Sequence, residues 1–462
     1  MKSSPLFGRA KQRELAAAIA ALYALSSPLA HATQTVTNCA DAGAGSLRAA
    51  ISAAVSGELV DASGLSCSLI SLHTGAISFS QNDLSIKGPG TDKLTINGKY
   101  NNHTEPYRIF THYGSGTLSI QGMKIQKGYA NSVSSSREGG CIRTSGNLVL
   151  VNVEVSSCTA KASSYSPAHG GGVFVAGNML MINSTVKYNS ANGASLSATG
   201  GGVYAKGNFG AKYSTISNNT AVGATGTMIG FAGGVYARGA QTYLLGTTIA
   251  NNTAGLSNGG IAVHNLSGKI TIENSTISGN KSTAGTVGGL YASAANTYID
   301  NSTIAFNTAG SATPGNAGVG AAFYGGSGTP QAVLNSTLIA NNTYGATPTN
   351  KDVTVFGVTL TGSNNLIRVP DGAVPAGTIV GKCPLLGPLR NNGGTTLTHA
   401  LLGHSPAIDA GNDTAGFTYD QRSSPYMRAS GPPGVMMPQA DIGAFEVDQS
   451  EKIFDANFEG CT

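Results

Sequence analysis

The chain alternates short apolar runs with breaks rich in Gly, Asn and Ser, and one pattern of apolar and polar positions returns about every thirty residues. Small polar residues lead to an apolar anchor, and Asn follows three places later. The anchors are 30, 33, 28, 27 and 35 residues apart, and the pairs are Val186/Asn189, Ile216/Asn219, Ile249/Asn252, Ile277/Asn280, Ile304/Asn307 and Ile339/Asn342. A repeat of this length, built from strand-like units, predicts a solenoid.

A second motif runs in step with the anchors: two glycines, an apolar residue and usually an aromatic one. Its copies begin at Gly139, Gly171, Gly201, Gly233, Gly259 and Gly288, with a looser copy at Ala321. Each unit therefore holds two or three short alternating strands, with no helical periodicity between them. One unit cannot bury its apolar side alone, so coils are expected to stack about 4.8 Å apart through parallel strands. The prediction is an all-β parallel β-helix of about ten coils.

Parallel stacking places equivalent residues in columns, and alternation along a strand assigns each column a face. Val203 and Ala205 are predicted to face the core, and Tyr204 and Lys206 to face outward. The Asn column is predicted to be structural, because Asn suits a tight bend, accepts left-handed backbone and bonds to the neighbouring coil. Calcium binding would need interleaved carboxylates, which the repeats lack.

The two open ends of such a stack need covers. Ser46 to Val55 combines a Ser N-cap with i, i+4 apolar spacing, which predicts a short amphipathic helix over the first coil. The period stops near residue 375, and the remainder is predicted to plug the other end. The expected segments are a signal peptide at 1–32, an N-terminal cap at 33–83, repeats at 84–374, a C-terminal module at 375–446 and a tail at 447–462.

The first 32 residues have the three parts of a cleavable secretory signal: basic residues, the apolar run Leu15–Leu25, and Ala30-His31-Ala32. The alternative, a membrane anchor, needs roughly 18 to 20 apolar residues. No later segment of that length exists, so no membrane span is expected after cleavage. Removal of the leader lowers the 27 basic and 22 acidic residues to 23 and 21, a formal charge of +2. That balance argues against a nucleic-acid partner.

Six cysteines in an exported chain predict an oxidising compartment and up to three disulfides. Chain position suggests Cys39 with Cys67, Cys141 with Cys158, and Cys383 with Cys461, although six cysteines allow about fifteen connectivities. Cys158 occupies the Asn register of its coil and Cys141 the Val register, so both are expected to face inward. No Cys-x-x-Cys motif or His cluster indicates a metal, and no cofactor is expected.

The paired repeat motifs resemble those of polymorphic outer membrane proteins and of other right-handed β-helix proteins of the pectin-lyase-like group. The segment Asp41-Ala42-Gly43-Ala44-Gly45-Ser46-Leu47-Arg48 is similar to the start of many exported bacterial β-helix proteins. The C-terminal module resembles a choice-of-anchor Q domain through Asn392-Gly393-Gly394, Thr398-His399-Ala400-Leu401, the stretch 405–411, Asp420-Gln421-Arg422 and the stretch 441–446. The resemblance implies a protein of the bacterial envelope whose C-terminal module helps to sort or hold it, without implying an activity.

Pectin-lyase-like relatives include lyases, hydrolases and esterases, whose chemistry needs clustered carboxylates. Residues 101 to 345 contain only five acids, Glu105, Glu138, Glu154, Glu273 and Asp300. Glu273 and Asp300 each lie four residues before an anchor, so they are expected to stack about 5 Å apart on adjacent coils. This pair is the candidate for catalysis, and an ordinary exposed acidic pair is the alternative.

The C-terminal module carries Asp409, Asp420, Arg422, Asp441 and Glu446. An Arg that pins carboxylates in a loop-rich cap is the favoured interpretation, and an active site is the alternative. His399 is expected to be a structural hydrogen-bonding residue.

One outward column is more suggestive of binding, since aromatic residues recur there with two cations nearby: Phe174, Tyr204, Lys206, Tyr236, Arg238, Tyr291 and Tyr324, with Ala262 as a gap. Aromatic faces spaced along a rod can stack on sugar rings, and cations favour acidic glycans. The alternative is that the rings only stabilise the sheet by cross-strand packing.

These patterns predict a cofactor-free, exported protein of the extracellular space or bacterial cell surface, including the outer membrane. Its role is expected to be adhesin-like or structural, with glycans or other cell-envelope components as partners. The second possibility is a polysaccharide lyase or hydrolase on the same fold.

Overall fold

The computed structural model describes residues 32–98, 107–131, 137–162, 166–193, 197–223, 230–310, 319–325, 329–345, 349–429 and 439–448. These residues form an all-β parallel solenoid of about ten turns with one short helix, which confirms the predicted fold. The predicted signal peptide, all but its last residue, and most of the C-terminal tail lie outside the described residues.

Three columns of strands make one continuous 31-stranded sheet that winds around the core. The valine column carries the Gly-Gly-Val motif. Its strands are Ile77–Phe79, Phe110–His112, Ile142–Thr144, Val173–Val175, Val203–Ala205, Val235–Ala237, the first halves of Ile261–Glu273 and Leu290–Asp300, Ala321–Tyr324, Val353–Phe356 and Pro370–Asp371.

The middle column follows it along the chain. Its strands are Thr33–Thr35, Leu59–Asp61, Ser85–Lys87, the first parts of Thr117–Gln126 and Asn147–Ser156, Met179–Ile182, Phe209–Lys212, Gln241–Leu245, the second halves of Ile261–Glu273 and Leu290–Asp300, Gln331–Asn335 and Thr359–Ser363.

The anchor column holds the Ile and Val anchors. It comprises Leu69–Ser71, Thr95–Asn97, the ends of Thr117–Gln126 and Asn147–Ser156, Thr185–Lys187, Thr215–Ser217, Thr248–Ala250, Thr276–Ser278, Thr303–Ala305, Leu338–Ala340, Leu366–Ile367 and Ile379–Val380.

Two smaller sheets complete the coils. One has nine strands, Tyr129–Ala130, Thr159–Lys161, Ser190–Asn192, Thr220–Val222, Thr253–Ala254, Lys281–Ser282, Thr308–Ala309, Thr343–Tyr344 and Thr349–Asn350, of which the last is antiparallel. The other, here called the side sheet, consists of Arg137–Glu138, Ala168–His169, Ala198–Thr199 and Gly230–Phe231.

The N-terminal helix spans Leu47–Ala53 within the predicted Ser46 to Val55. Ser46 is its N-cap and accepts a hydrogen bond from the Ala49 N–H, as the sequence indicated. Leu47, Ala50 and Ile51 are buried in the cluster that also contains the first core positions of the solenoid. The helix therefore shields the apolar interior of the first coil.

The Asn column forms a buried ladder of hydrogen bonds through Asn189, Asn219, Asn252, Asn280, Asn307 and Asn342. Along the first five, the backbone N–H and the Nδ2 of each Asn donate to the Oδ1 of the next, at 3.0 Å and 2.9 Å. Each Nδ2 also donates to the carbonyl of the anchor in the coil before it, at 2.9 to 3.1 Å. The ladder ends on the Asp352 carboxylate, which accepts both donors of Asn342.

The left-handed backbone at this bend belongs to the residue before each ladder Asn. Tyr188, Asn218, Asn251, Gly279, Phe306 and Asn341 have φ between 55° and 65°. The sequence suggested that the ladder Asn residues take this conformation and also bond to the neighbouring coil, and the structure gives them only the hydrogen bonding.

The ladder packs directly against the second glycine of each repeat motif. A Cβ on Gly202, Gly234 or Gly260 would come within about 3 Å of the side chain of Asn219, Asn252 or Asn280 respectively. The repeat conserves its glycine within the chain because no larger residue fits beside the buried amide.

Two predicted disulfides are present, Cys39–Cys67 and Cys141–Cys158, whereas Cys461 lies outside the described residues. The register of Cys141 differs by one position from the prediction. Ile142, not Cys141, pairs with Val173, so Cys141 occupies the second-glycine position. Cys158 occupies the ladder position, since its N–H donates to Asn189 Oδ1. The disulfide therefore replaces one glycine–asparagine contact.

Because the disulfide occupies the place of a glycine–asparagine contact, a Gly and Asn pair should replace it better than two serines. The Cys141→Ser/Cys158→Ser variant should lose about 3 kcal/mol of stability, as expected for a closed loop of this size. The Cys141→Gly/Cys158→Asn variant should recover about half of that loss, because Asn at 158 extends the ladder by one rung. Urea unfolding without reductant measures both, and equal stability of the two variants would contradict the equivalence of the positions.

The loop-rich C-terminal module contacts the side of the last coils. Thr396 Oγ1 donates to Gly246 O, Thr248 Oγ1 to Leu397 O, and the Gly443 N–H to Ser336 O. Apolar packing joins Ala305, Leu338, Ala340 and Leu366 of the anchor column to Leu386, Leu401, Ile442 and Phe445 of the module. The module thus covers the outward side of the anchor column over several coils.

Candidate binding groove

The predicted aromatic column is a continuous stack of seven rings along the valine column. Successive centroids lie 5.4, 5.2, 5.1, 4.7, 4.8 and 4.6 Å apart. The rings belong to Phe174, Tyr204, Tyr236, His264, Tyr291, Tyr324 and Phe356, here called the ring stack.

Sequence reasoning missed two members of the ring stack and the register of a third. Ala262 pairs with Tyr236 and Tyr291, and His264, two residues later, fills the gap that Ala262 leaves. Tyr324 pairs with Ser293 and not with Tyr291, because Ala322 takes the Tyr291 position. The signal for His264 and Phe356 was their place two residues beyond the motif, the same offset that Tyr324 has.

The exposure of the ring stack also differs from the prediction. Phe174 and Tyr204, expected on a binding surface, are only 1% and 5% exposed, while Tyr236, Tyr291 and Tyr324 are partly exposed. The ring planes lie within 15° to 33° of one another, so neighbouring coils cover one another's ring faces. The ring stack therefore presents ring edges and phenolic hydroxyls, and the ring faces that the sequence suggested for binding are covered along its length.

A groove of about 290 Å³ lies between the ring stack and the side sheet. Tyr204, Tyr236 and His264 form one wall, and His169, Ser197, Thr199 and Phe231 form the other. Phe231 stacks on no other ring among the described residues, unlike the aromatic residues across the groove. The side sheet consists of two-residue strands, which left no alternating pattern in the sequence.

The cations near the groove pair with aromatic groups. Arg238 is exposed and hydrogen-bonds Tyr204, which raises the pKa of the guanidinium. Lys206 is also exposed, with its Nζ 5.0 Å from the centre of the Phe174 ring. Burial raises the pKa of Tyr236 and Tyr291, so both phenols remain protonated donors at neutral pH. The groove presents hydroxyl donors and positive charge together.

Glu273 and Asp300 are directly paired on adjacent coils, as the spacing predicted. Tyr243 Oη donates to Glu273 Oε2 at 2.9 Å, and Asn335 Nδ2 donates to Asp300 Oδ1 at 2.7 Å. Asp300 is 5% exposed, which disagrees with the alternative of an ordinary exposed acidic pair. Burial is the main cause that raises the pKa of Tyr243, and the Glu273 carboxylate adds to it. Both carboxylates already accept hydrogen bonds from neutral side chains.

The C-terminal acids do not converge on one Arg. Arg422 pairs with Asp420 at 2.8 Å and lies between the rings of Tyr426 and Phe445, at 3.8 and 3.9 Å. The Arg422 guanidinium also donates to the Glu446 carbonyl at 2.6 Å. This part of the predicted Arg fork is therefore buried between loops.

Two of the remaining acids of the module, Asp441 and Glu446, bind backbone, whereas Asp409 is exposed. Asp441 accepts the N–H groups of Asp409 and Val447, and Glu446 accepts the N–H of Asp441. Burial raises the pKa of Asp441 to about 6. The Asp441 and Glu446 carboxylates therefore hold loop backbone in place, and each binds a different segment.

His399 joins the module to the anchor column. Its Nε2 lies 2.8 Å from Ser278 Oγ and its Nδ1 lies 2.7 Å from Gly387 O. Burial lowers the pKa of His399 to about 4, so the imidazole is neutral in the folded protein at neutral pH.

The lowered pKa of His399 predicts an acid-sensitive contribution to stability. Below about pH 6.5 the unfolded chain protonates this histidine and the folded chain does not, so stability falls until about pH 4. The free energy of unfolding should therefore change by about 3 kcal/mol more in the parent than in His399→Asn between pH 7.5 and pH 4. Urea unfolding at both pH values measures the difference. Exposed His404, changed to Asn, is the control, and a parallel pH response of His399→Asn would refute the effect.

Asp352 and Asp441 act in the opposite direction over the same pH range. Burial raises the pKa of each to about 6, so their protonation favours the folded state as the pH falls from about 6 to about 4. For this reason the contribution of His399 to the free energy of unfolding is measured as the difference between the parent and His399→Asn.

Among the described residues, no group of three or more His, Cys, Asp or Glu side chains is arranged to hold a metal ion. No helix in the described part of the chain is long and apolar enough to cross a membrane.

No family model and no curated protein matches the sequence. Among solved structures, the crystal structure of pectate lyase Pel9A is similar, with 16% sequence identity and a TM-score of 0.43 over 90% of this chain and 97% of that chain.

Proposed function

We propose that the protein is an exported, adhesin-like glycan-binding protein, and that the groove between the ring stack and the side sheet holds an extended polysaccharide. The groove itself is the observation that carries the proposal. It combines a volume of about 290 Å³, ring edges, hydroxyl groups and exposed cations along a rod-like scaffold. Sugars bind proteins through this mixture of apolar contact and directed hydrogen bonds.

The two walls have different tasks in this proposal. The partly exposed phenol of Tyr236 offers a hydrogen-bonding edge to the chain, and the buried Tyr204 beside it holds Arg238 through a hydrogen bond. Phe231 on the side sheet offers a ring face, which its unstacked state leaves for the apolar side of a sugar. Arg238 and Lys206 add positive charge at the rim, which favours a carboxylated glycan.

Phe231→Ala tests the proposal with little risk to the fold, because Phe231 is only partly buried and ends a two-residue strand. Affinity for alginate, a linear carboxylated polysaccharide, should fall about tenfold, as expected for loss of one stacking contact of 1 to 2 kcal/mol. Isothermal titration calorimetry gives the affinity, with Tyr188→Ala, an exposed ring of the anchor bend, as the control. Absence of alginate binding by the parent, or unchanged affinity in Phe231→Ala, would contradict the proposal that the groove binds a glycan.

Incubation of the protein with alginate also separates binding from catalysis, because the length and ends of the polymer can be analysed afterwards. A lyase or hydrolase that uses Glu273 and Asp300 would shorten alginate and generate unsaturated or reducing ends. The proposed binding role predicts intact polymer after prolonged incubation.

Two disulfides support export, because such bonds persist in oxidising compartments. The predicted leader at 1–32 supplies the route. We also propose that the choice-of-anchor Q-like module, residues 375–446, helps to hold the protein at the cell surface.

Deletion of the whole module is a poor test of anchoring, since it would uncover Leu338, Ala340 and Leu366. Deletion of residues 449–462 together with Cys383→Ser leaves those contacts in place. Cell fractionation then reports retention, and full surface retention of the shortened chain would assign any anchoring to the module itself and not to the tail.

A further inference from the structure

Two histidines line the groove from opposite walls. His169 belongs to the side sheet and His264 to the ring stack, where it lies between Tyr236 and Tyr291. The His169 Nδ1 is buried and has no hydrogen-bond partner among the described residues. His169 packs against Tyr204 at 4.7 Å between ring centroids, so the imidazole is held in place by ring contact. A groove-lining residue therefore keeps hydrogen-bonding capacity that the described part of the fold does not use.

Burial and nearby cations oppose a proton on both imidazoles. Burial is the main cause that lowers the pKa of His169, and Lys206 and Arg238 lower it further, while Glu138 acts in the opposite direction. Burial and Arg238 lower the pKa of His264. Both rings are therefore neutral at pH 7.5, and an anion bound beside them would favour the charged form against these effects.

We propose that His169 and His264 contact the bound glycan and take up protons when a carboxylated chain occupies the groove, so that binding strengthens in acid. This inference rests on the proposed glycan-binding function. The carboxylates of a uronic acid chain have pKa values of about 3.5 and stay ionised at pH 5. The imidazolium–carboxylate contact then gains a charge-assisted hydrogen bond that the neutral ring lacks.

Calorimetric titration of alginate at pH 7.5 and pH 5.0 tests the inference. The parent protein should bind about tenfold more tightly at pH 5.0, the equivalent of one charge-assisted contact. Repeating the titration in buffers of different ionisation enthalpy should show net proton uptake on binding. The propylene glycol ester of alginate, whose carboxylates are blocked, should show neither effect.

The His169→Gln and His264→Gln variants keep a neutral hydrogen-bonding side chain, and together they should bring the ratio of the affinities at pH 5.0 and pH 7.5 to about one. His404→Gln, on the C-terminal module, is the matched control and should keep the full pH response. Circular dichroism reports that each variant is folded.

The two proposals fail in different ways. Binding that is equally tight at both pH values, or a pH response that survives in the double variant, overturns the role of the histidines and leaves glycan binding standing. No binding at either pH overturns both.

Discussion

Gly234→Ala should lower the free energy of unfolding by about 3 to 5 kcal/mol, one of the largest effects expected of any single substitution in this protein. A Cβ at Gly234 would lie 2.5 Å from the Gly260 carbonyl oxygen and 3.0 Å from Asn252 Nδ2. The carbonyl belongs to the next coil, and the Gly234 N–H donates to that same oxygen at 3.0 Å. The methyl group therefore forces two coils apart and disturbs a ladder rung at once.

Gly64→Ala is the matched control. No heavy atom lies within 4 Å of a Cβ at that position, and Gly64 does not have a positive φ. Its stability should stay within about 0.5 kcal/mol of the parent. Urea unfolding followed by circular dichroism compares the two variants, and similar stabilities would show that the glycine column tolerates side chains.

Asn252→Ala should cost about 3 to 5 kcal/mol, because it breaks four buried hydrogen bonds. Asn252 Oδ1 accepts from the N–H and Nδ2 of Asn219, and its Nδ2 donates to Ile216 O and Asn280 Oδ1. The two Asn219 donors would then be left unsatisfied in an interior that Asn252 itself shares at 0% exposure. Unfolding in urea and thermal melting both measure the loss.

Asn208→Ala serves as the graded control, since its partly buried side chain accepts a single hydrogen bond, from the Gln241 N–H at 2.9 Å. The expected loss is about 1 kcal/mol. A loss in Asn252→Ala no greater than in Asn208→Ala would mean that water or relaxation satisfies the ladder donors, against the burial that the structure shows.

Much of the scaffold follows from the sequence because its physical causes are periodic. The spacing of Val186 and Ile216 predicts the core column, and the N-cap chemistry of Ser46 predicts the start of the helix. The order of the cysteines along the chain suggests the pairing of Cys39 with Cys67 that the structure shows. Each of these signals is local or repeats along the chain.

The groove was less predictable, because it depends on which layer covers an outward column. Alternation placed Tyr204 off the core face but gave no sign of the side sheet that buries it. The place of His264 was missed because Ala262 holds the motif position of that coil, and the ring that fills the gap lies two residues further along the strand Ile261–Glu273. Unequal coil lengths of 27 to 35 residues also obscure such offsets in a motif alignment.

Because the hydrogen bonds between ladder Asn residues all point in one direction, the two ends of the ladder are not equivalent. Between ladder residues, the backbone N–H and the Nδ2 of each Asn donate toward the C-terminal side, so the last coil of a partly folded chain presents these donors to the coil that follows it. Hydrogen bonds aligned in one sense also polarise one another. Asp352 ends the series, because its Oδ1 accepts from Asn342, its Oδ2 accepts from the Val369 N–H, and its carboxylate side chain has no donor for a further rung. Duplicating an internal coil should therefore lengthen the rod, whereas a coil appended after Asp352 would find no rung to continue.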